Sequence, residues 1–179
     1  WKQGSDNDLE TDYLIITPEI FRETAEIWAE YRAAQGWTPE VLSTEDIYRN
    51  YSYGYSSPAA IRNAIHQRYS LLPATETLHV LLIGDTKSHL RTAAKIIPMR
   101  YYQTEKYGAV VTDYYYANID TTDLIPEVAV GRIPVQSVVD LETVFDKIQE
   151  YEESAPYGEW RNRSLFIAGY DAVFKTQTE

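Results

Sequence analysis

The chain reads as an α/β protein: a mainly parallel sheet with helices on both faces, forming one three-layer unit. Three observations predict this. Short, mostly apolar runs recur at 14–17, 78–83 and 164–168, the pattern of strands covered on both faces. Between the runs lie segments whose apolar residues follow helical spacing, so strands and helices alternate. The length of 179 residues, with 44% hydrophobic, suffices for a single sizeable core.

Taken in order, residues 1–12 are polar and acidic and read as a tether, leaving 13–179 as the packed unit. The first strand, 14–17, is stopped by Pro18. From Glu19 a helix is predicted, because Ile20, Ala25, Ile27, Trp28 and Tyr31 share one face; Gly36 ends it. Residues 37–42 form a second strand, and the Tyr/Ser/Gly-rich stretch 50–57 a loop. Ser57 followed by Pro58 is an N-cap with proline at the first helical position. The helix after it carries Ile61, Ile65 and Tyr69 at four-residue spacing. The third strand, 78–83, is closed by Gly84 and Asp85. The segment 86–125 is irregular, with at most short elements. A fourth strand, 127–130, runs into Gly131, Arg132, Ile133 and Pro134. A helix over 137–151 has Leu141, Phe145 and Ile148 in one stripe, and 164–168 is the fifth strand.

Lys plus Arg number 16 and Asp plus Glu 27, a net charge of −11. That balance opposes binding to nucleic acid or to an anionic membrane surface, both of which need clustered cations. No stretch approaches the roughly 18 apolar residues of a spanning helix, so no membrane insertion is expected. No signal peptide opens the sequence, and the start at Trp1 suggests a trimmed or processed product. There is no cysteine, which excludes disulfides, cysteine–zinc sites and a thiol nucleophile within this chain. The three histidines lack the spacing of a metal pair: His79 lies in a strand, while His66 and His89 read as surface residues.

In a sheet of this kind chemistry sits beyond the carboxyl ends of the strands. That rule selects Thr17, Asp85, Arg132 and the run Gly169-Tyr170-Asp171. Asp85 reads as a turn cap ahead of a metal ligand, and Arg132 as an internal ion pair fixing the long connection ahead of a carboxylate clamp. Between 112 and 127, Asp113, Asn118, Asp120, Asp123 and Glu127 offer hard oxygens of the type calcium takes six to eight of. Their spacing is not that of an EF-hand, and an acidic solvated loop with Asx turns is the other reading.

Whole segments resemble the gingipain-type cysteine peptidases. The resemblance begins with Tyr13 to Thr17, Trp28 to Gly36 and Ile61 to Ile65. It tightens at Val80 to Asp85 and Thr112 to Ala117, and is best at Pro126 to Pro134. It continues through Lys147, Ile148, Tyr151, Glu152, Trp160 and Leu165 to Ala168, so the ordered set covers about 13–171. It implies a caspase-like α/β catalytic domain of two subdomains, of which this chain would be the amino-terminal one. The family's nucleophilic cysteine and its histidine, in a His-Gly pair, lie in the second subdomain; neither occurs here. The acidic residue after the last strand matches Asp171, and the resemblance implies that it orients the histidine. It implies structural calcium as well, bringing the 113–127 loop forward. The expected partners are the downstream subdomain and protein or peptide substrates, and the expected location is secreted or on a bacterial cell surface. The rival expectation is a peptidase-like module that has lost catalysis and serves binding or assembly. A flavodoxin-like or receiver-type domain fits the alternation but not the long 86–125 connection.

Overall fold

The computed structural model describes residues 10–86, 96–106 and 108–165. The chain divides into two compact units, 1–145 and 146–179.

The first unit begins before its first strand. Thr11 is buried, and Asp12 accepts hydrogen bonds from the Thr38 and His79 N–H groups at 2.7 and 2.8 Å. Packing therefore reaches into the last residues of the segment read as a tether; residues 1–9 lie outside the described residues. Strand β1 is Tyr13–Thr17. Pro18, which fixes its own φ, then turns the chain through a 3₁₀ turn, Glu19–Phe21, into helix α1, Arg22–Ala34. Gly36, at φ +99°, lets the chain leave the helix in a conformation that costs other residues energy. Strand β2, Pro39–Ser43, leads directly into helix α2, Thr44–Tyr51, because Ser43 Oγ accepts the Asp46 N–H at 3.1 Å and caps it.

Helix α3, Pro58–Tyr69, starts on Ser57 as its N-cap with proline at the first position, as the sequence indicated. Strand β3 is His79–Ile83. The 86–125 connection, where described, is more ordered than its sequence suggested. It holds the antiparallel hairpin β4 (Arg100–Thr104) and β5 (Gly108–Thr112), then the one-turn helix α4, Tyr114–Ala117. Strand β6, Ala129–Ile133, lies two residues later than the apolar run, so Gly131 and Arg132 are inside the strand rather than beyond it. Helix α5, Val138–Glu153, starts in the first unit and ends in the second.

The four long-range strands form a parallel sheet of order β2-β1-β3-β6. On one face Leu14, Ile16, Val80 and Leu82 pack against Ile47 of α2 and Ile61 and Ile65 of α3, with Tyr116 and Ile97 completing the cluster. Each such fully buried side chain is worth about 1.5–3 kcal/mol against exposure. Ile15 points to the other face by alternation. There the Trp28 ring of α1 stacks on Phe145 of α5 at 4.2 Å and 4°. Helices thus cover both faces, which is why the strands can be apolar on both sides.

In the second unit, Trp160 lies in a 3₁₀ turn, Glu159–Asn162, and packs edge-on against Tyr151 at 5.9 Å. Ser164 and Leu165 are not in a strand, and the rest of the expected fifth strand, 166–168, lies outside the described residues. Among the described residues, no helix is long and apolar enough to cross a membrane.

Candidate functional site

The carboxyl ends of β1, β2, β3 and β6 lie on one edge of the sheet because every pairing is parallel. Thr17 closes β1 fully buried, its hydroxyl near the Pro18 and Ile83 carbonyls at 3.3 and 3.4 Å, so it packs the edge from within. At the end of β3, Gly84 takes φ +142°, a conformation open chiefly to glycine. Its N–H donates to the Ile133 carbonyl at 3.0 Å. Asp85 follows, 6% exposed. One of its oxygens accepts the Thr86 N–H and the other the Gln136 amide, both at 2.6 Å. Its carboxylate thus caps a turn, as read from the sequence, and also ties that turn to the segment after β6.

Arg132 is the centre of this edge. Its Nε and Nη2 donate to the two oxygens of Asp113 at 2.6 and 2.7 Å. Its Nη1 donates to the Gly84 and Ile97 carbonyls at 3.0 and 3.2 Å. With only 9% of the Arg132 side chain exposed, the pair is nearly buried and its planar fork is fully used. The internal ion pair expected of Arg132 is therefore present. It joins β6, the end of β3, the approach to β4 and the end of β5, and so fixes the hairpin over the sheet's carboxyl edge.

Tyr116 is fully buried in the core cluster and donates to the Pro98 carbonyl, two residues ahead of β4. Burial pushes the hydroxyls of Tyr116 and Tyr48 above the ordinary tyrosine range, so both stay protonated. These are packing residues of the edge, with no signature of acid–base chemistry.

Of the five residues read as oxygen donors, three gather and two are engaged elsewhere. The carboxylates of Asp120, Asp123 and Glu127 come within 4.8 Å of one another. Glu127 accepts the Ile119 N–H at 2.5 Å, Asp120 that of Thr122 at 2.9 Å, and Asp123 that of Ile125 at 2.7 Å. The Thr122 backbone and side-chain bonds hold the Asp120 carboxyl below the usual carboxylate range, so it is ionised. Three gathered hard oxygen donors are the chemistry calcium takes, with carbonyls and water supplying the remaining positions. Asp113 stands apart from this group, since both its oxygens face Arg132. Asn118 is buried, and its amide donates to the Tyr114 hydroxyl and the Asp123 carbonyl, both at 2.9 Å, closing the loop from inside. Asp171, with Gly169 and Tyr170, lies outside the described residues, as does His89. His66 is exposed, and His79 packs edge-on against Trp37 at 4.9 Å.

A shallow depression of about 290 Å³ lies between β3 and β6. Tyr13, His79 and Ala129, which line it, are the first residues of their strands, so it opens at the opposite end from the carboxyl edge.

The sheet order, the helices on both faces and the braced carboxyl edge define an α/β unit of the kind that presents functional groups beyond its strand ends. The chain belongs to peptidase family C25, whose model matches residues 6–179. It is 26% identical to Lys-gingipain of Porphyromonas gingivalis over 187 aligned residues, covering 97% of this chain and 10% of that protein. Against gingipain R2 of the same organism the figures are 28% identity, 87% of this chain and 19% of the relative. Against an uncharacterized protein of Archaeoglobus fulgidus they are 30%, 86% and 33%. The chain therefore spans a tenth to a third of these relatives. Among solved structures, dimeric latent PorU from Porphyromonas gingivalis aligns with a TM-score of 0.72 over 93% of this chain and 18% of that one; at 23% identity this likeness concerns the fold. The complex of Porphyromonas gingivalis RgpB pro- and mature domains aligns at 0.59 with 25% identity, over 78% of this chain and 28% of that one.

Proposed function

We propose that this chain is the amino-terminal subdomain of a gingipain-like cysteine endopeptidase domain, which supports peptide-bond hydrolysis by a Cys–His pair outside it. The observation that carries this reading is the family C25 match over residues 6–179 in a chain without cysteine. A cysteine-type peptidase needs a thiolate, so the nucleophile must come from other residues of the parent protein. In this reading the imidazole takes the thiol proton, the thiolate attacks the scissile carbonyl and the amine leaves with that proton. Water then releases the acyl group. Asp171 orients the imidazole and stabilises its charged form, a positioning role that needs only a carboxylate within hydrogen-bond reach of the ring. The part played by the described residues is mechanical: the Arg132–Asp113 pair keeps the hairpin fixed at the carboxyl edge of the sheet.

Asp120, Asp123 and Glu127 are the residues that would hold a structural calcium ion, which would neutralise their mutual repulsion and pin the loop before β6. Protein or peptide substrates, a downstream subdomain as partner, and a secreted or cell-surface location complete the proposal.

The test compares this chain with the complete domain in a peptide-cleavage assay. The chain alone should cleave nothing. In the complete domain, Asp171→Ala should lower kcat by about 10²-fold or more while the fold is retained. Full activity after Asp171→Ala removes the role of that residue. A complete domain with neither a His-Gly pair nor a cysteine, and no cleavage, favours the non-catalytic binding module instead.

A further inference from the structure

The chain carries far more acid than base, and most of its described arginines are spent on carboxylates. Arg22, Arg49, Arg68 and Arg132 each hold at least one within ion-pair distance. Arg62 and Arg100 differ: neither forms an ion pair among the described residues. Both bear on one side chain. The guanidinium of Arg62, from α3, lies 5.1 Å from the centre of the Tyr115 ring, and that of Arg100, from β4, lies 5.3 Å from it. Their separation is therefore bounded at roughly 10 Å, near one Debye length at ordinary ionic strength, so the two charges repel.

The two arginines are prepared differently. Arg62 is half-buried and fixed. Its Nε and Nη2 donate to the Asn118 carbonyl at 3.3 and 2.9 Å, and Nη2 also donates to that of Ile119 at 2.7 Å. These are neutral acceptors, so among the described residues no carboxylate pairs with it and no group engages its Nη1 donors. The loop's half-buried acid, Glu127, is turned to the Ile119 and Asp120 N–H groups instead. Arg100 is exposed, held on Tyr115 by the ring face, and able to adjust. One oriented cation and one adjustable cation, both beside the same ring, offer two guanidinium groups to a planar anion.

We propose that Arg62, Tyr115 and Arg100 form a recognition site for the carboxylate side chain of an extended acidic peptide. The peptide class follows from what adjoins the site. Arg100 opens β4, which among the described residues pairs only with β5, so its other edge offers backbone groups for strand addition. Tyr101 and Tyr102 continue that strand 67% and 39% exposed, giving aromatic contact to neighbouring peptide residues. The site belongs to this chain's own residues, and its occupancy does not depend on catalysis.

The test is a titration of the full chain, followed through its arginine Nε–H resonances. The probes are an acetylated, amidated pentapeptide alternating valine with glutamate and the same peptide with glutamine. The glutamate peptide should bind at least tenfold more tightly and shift the Arg62 and Arg100 signals, and the preference should shrink as salt is raised. Arg100→Gln, at an exposed position, should abolish the preference with the melting curve unchanged, while Arg100→Lys should keep part of it. Equal binding of the two peptides, or a preference that survives Arg100→Gln, overturns the proposal. Inorganic phosphate occupying the site as tightly as the glutamate peptide overturns the assignment to a peptide.

Discussion

Arg132 and Asp113, on β6 and at the end of β5, face each other through two parallel hydrogen bonds of 2.6 and 2.7 Å. Breaking a nearly buried pair leaves the surviving charge desolvated, at a cost of about 3–5 kcal/mol in full burial and about 2–4 kcal/mol here, where Asp113 is 21% exposed. Asp113→Asn and Arg132→Ala should each lose that much in urea unfolding. Arg132→Met combined with Asp113→Leu should lose less than either, because it removes both charges. A loss under about 1 kcal/mol for Asp113→Asn would show that the pair does not brace the hairpin.

The stack of Trp28 on Phe145 carries the second face of the sheet, with the two residues only 4% and 7% exposed. Phe145→Ala should cost about 3–5 kcal/mol, and Phe145→Leu about 1 kcal/mol. Similar losses for the two variants would mean that the ring's shape rather than its volume matters.

Ser43 and Asp46 give the stability a pH dependence. Ser43 caps α2, and its hydroxyl is the main cause of a lowered Asp46 carboxyl, helped by Arg22 and Arg49. Asp46 therefore ionises more readily in the folded chain than in the unfolded one. Its contribution is full above the ordinary aspartate range and is lost as pH falls through the lowered folded value. Ser43→Ala should cost about 1 kcal/mol at pH 7. The gap from wild type should narrow between roughly pH 5 and pH 2. A gap constant over that range would uncouple the cap from the charge.

Calcium gives the fourth prediction. With calcium a hundredfold above its Kd, melting should rise by roughly 5–10 °C in the wild type, and the joint substitution Asp120→Asn with Glu127→Gln should remove the rise. An unchanged melting temperature in the wild type would count against the Asp120, Asp123 and Glu127 site.

The sheet was legible because its strands are apolar on both faces, and α3 because Ser57 and Pro58 mark its start. Three features were harder to read. Helix α2 is announced by Ser43 with Asp46 three residues on, a capping pattern masked by the charged residues within the helix. The hairpin lacks an alternating apolar face, because it stands above the sheet with both sides partly open. Its signals were the β-favouring Tyr101, Tyr102, Val110 and Val111 ahead of and behind Gly108. Spacing alone grouped Asp113 with the downstream acids, because proximity in sequence carries no record of an arginine arriving from β6, nineteen residues away.

All three ladders of the main sheet are parallel, so none of them closes through a tight turn; each waits for an intervening crossover to collapse first. The β4–β5 ladder joins neighbours in sequence and can zip within about 1–10 μs. Arg132 reaches that hairpin from β6, so we expect its clasp to form only after β6 has docked beside β3, on the native side of the folding barrier. Loss of the clasp should accordingly quicken unfolding while leaving the folding rate almost unchanged. On that order of events the ion pair is a latch on the lifetime of the carboxyl edge.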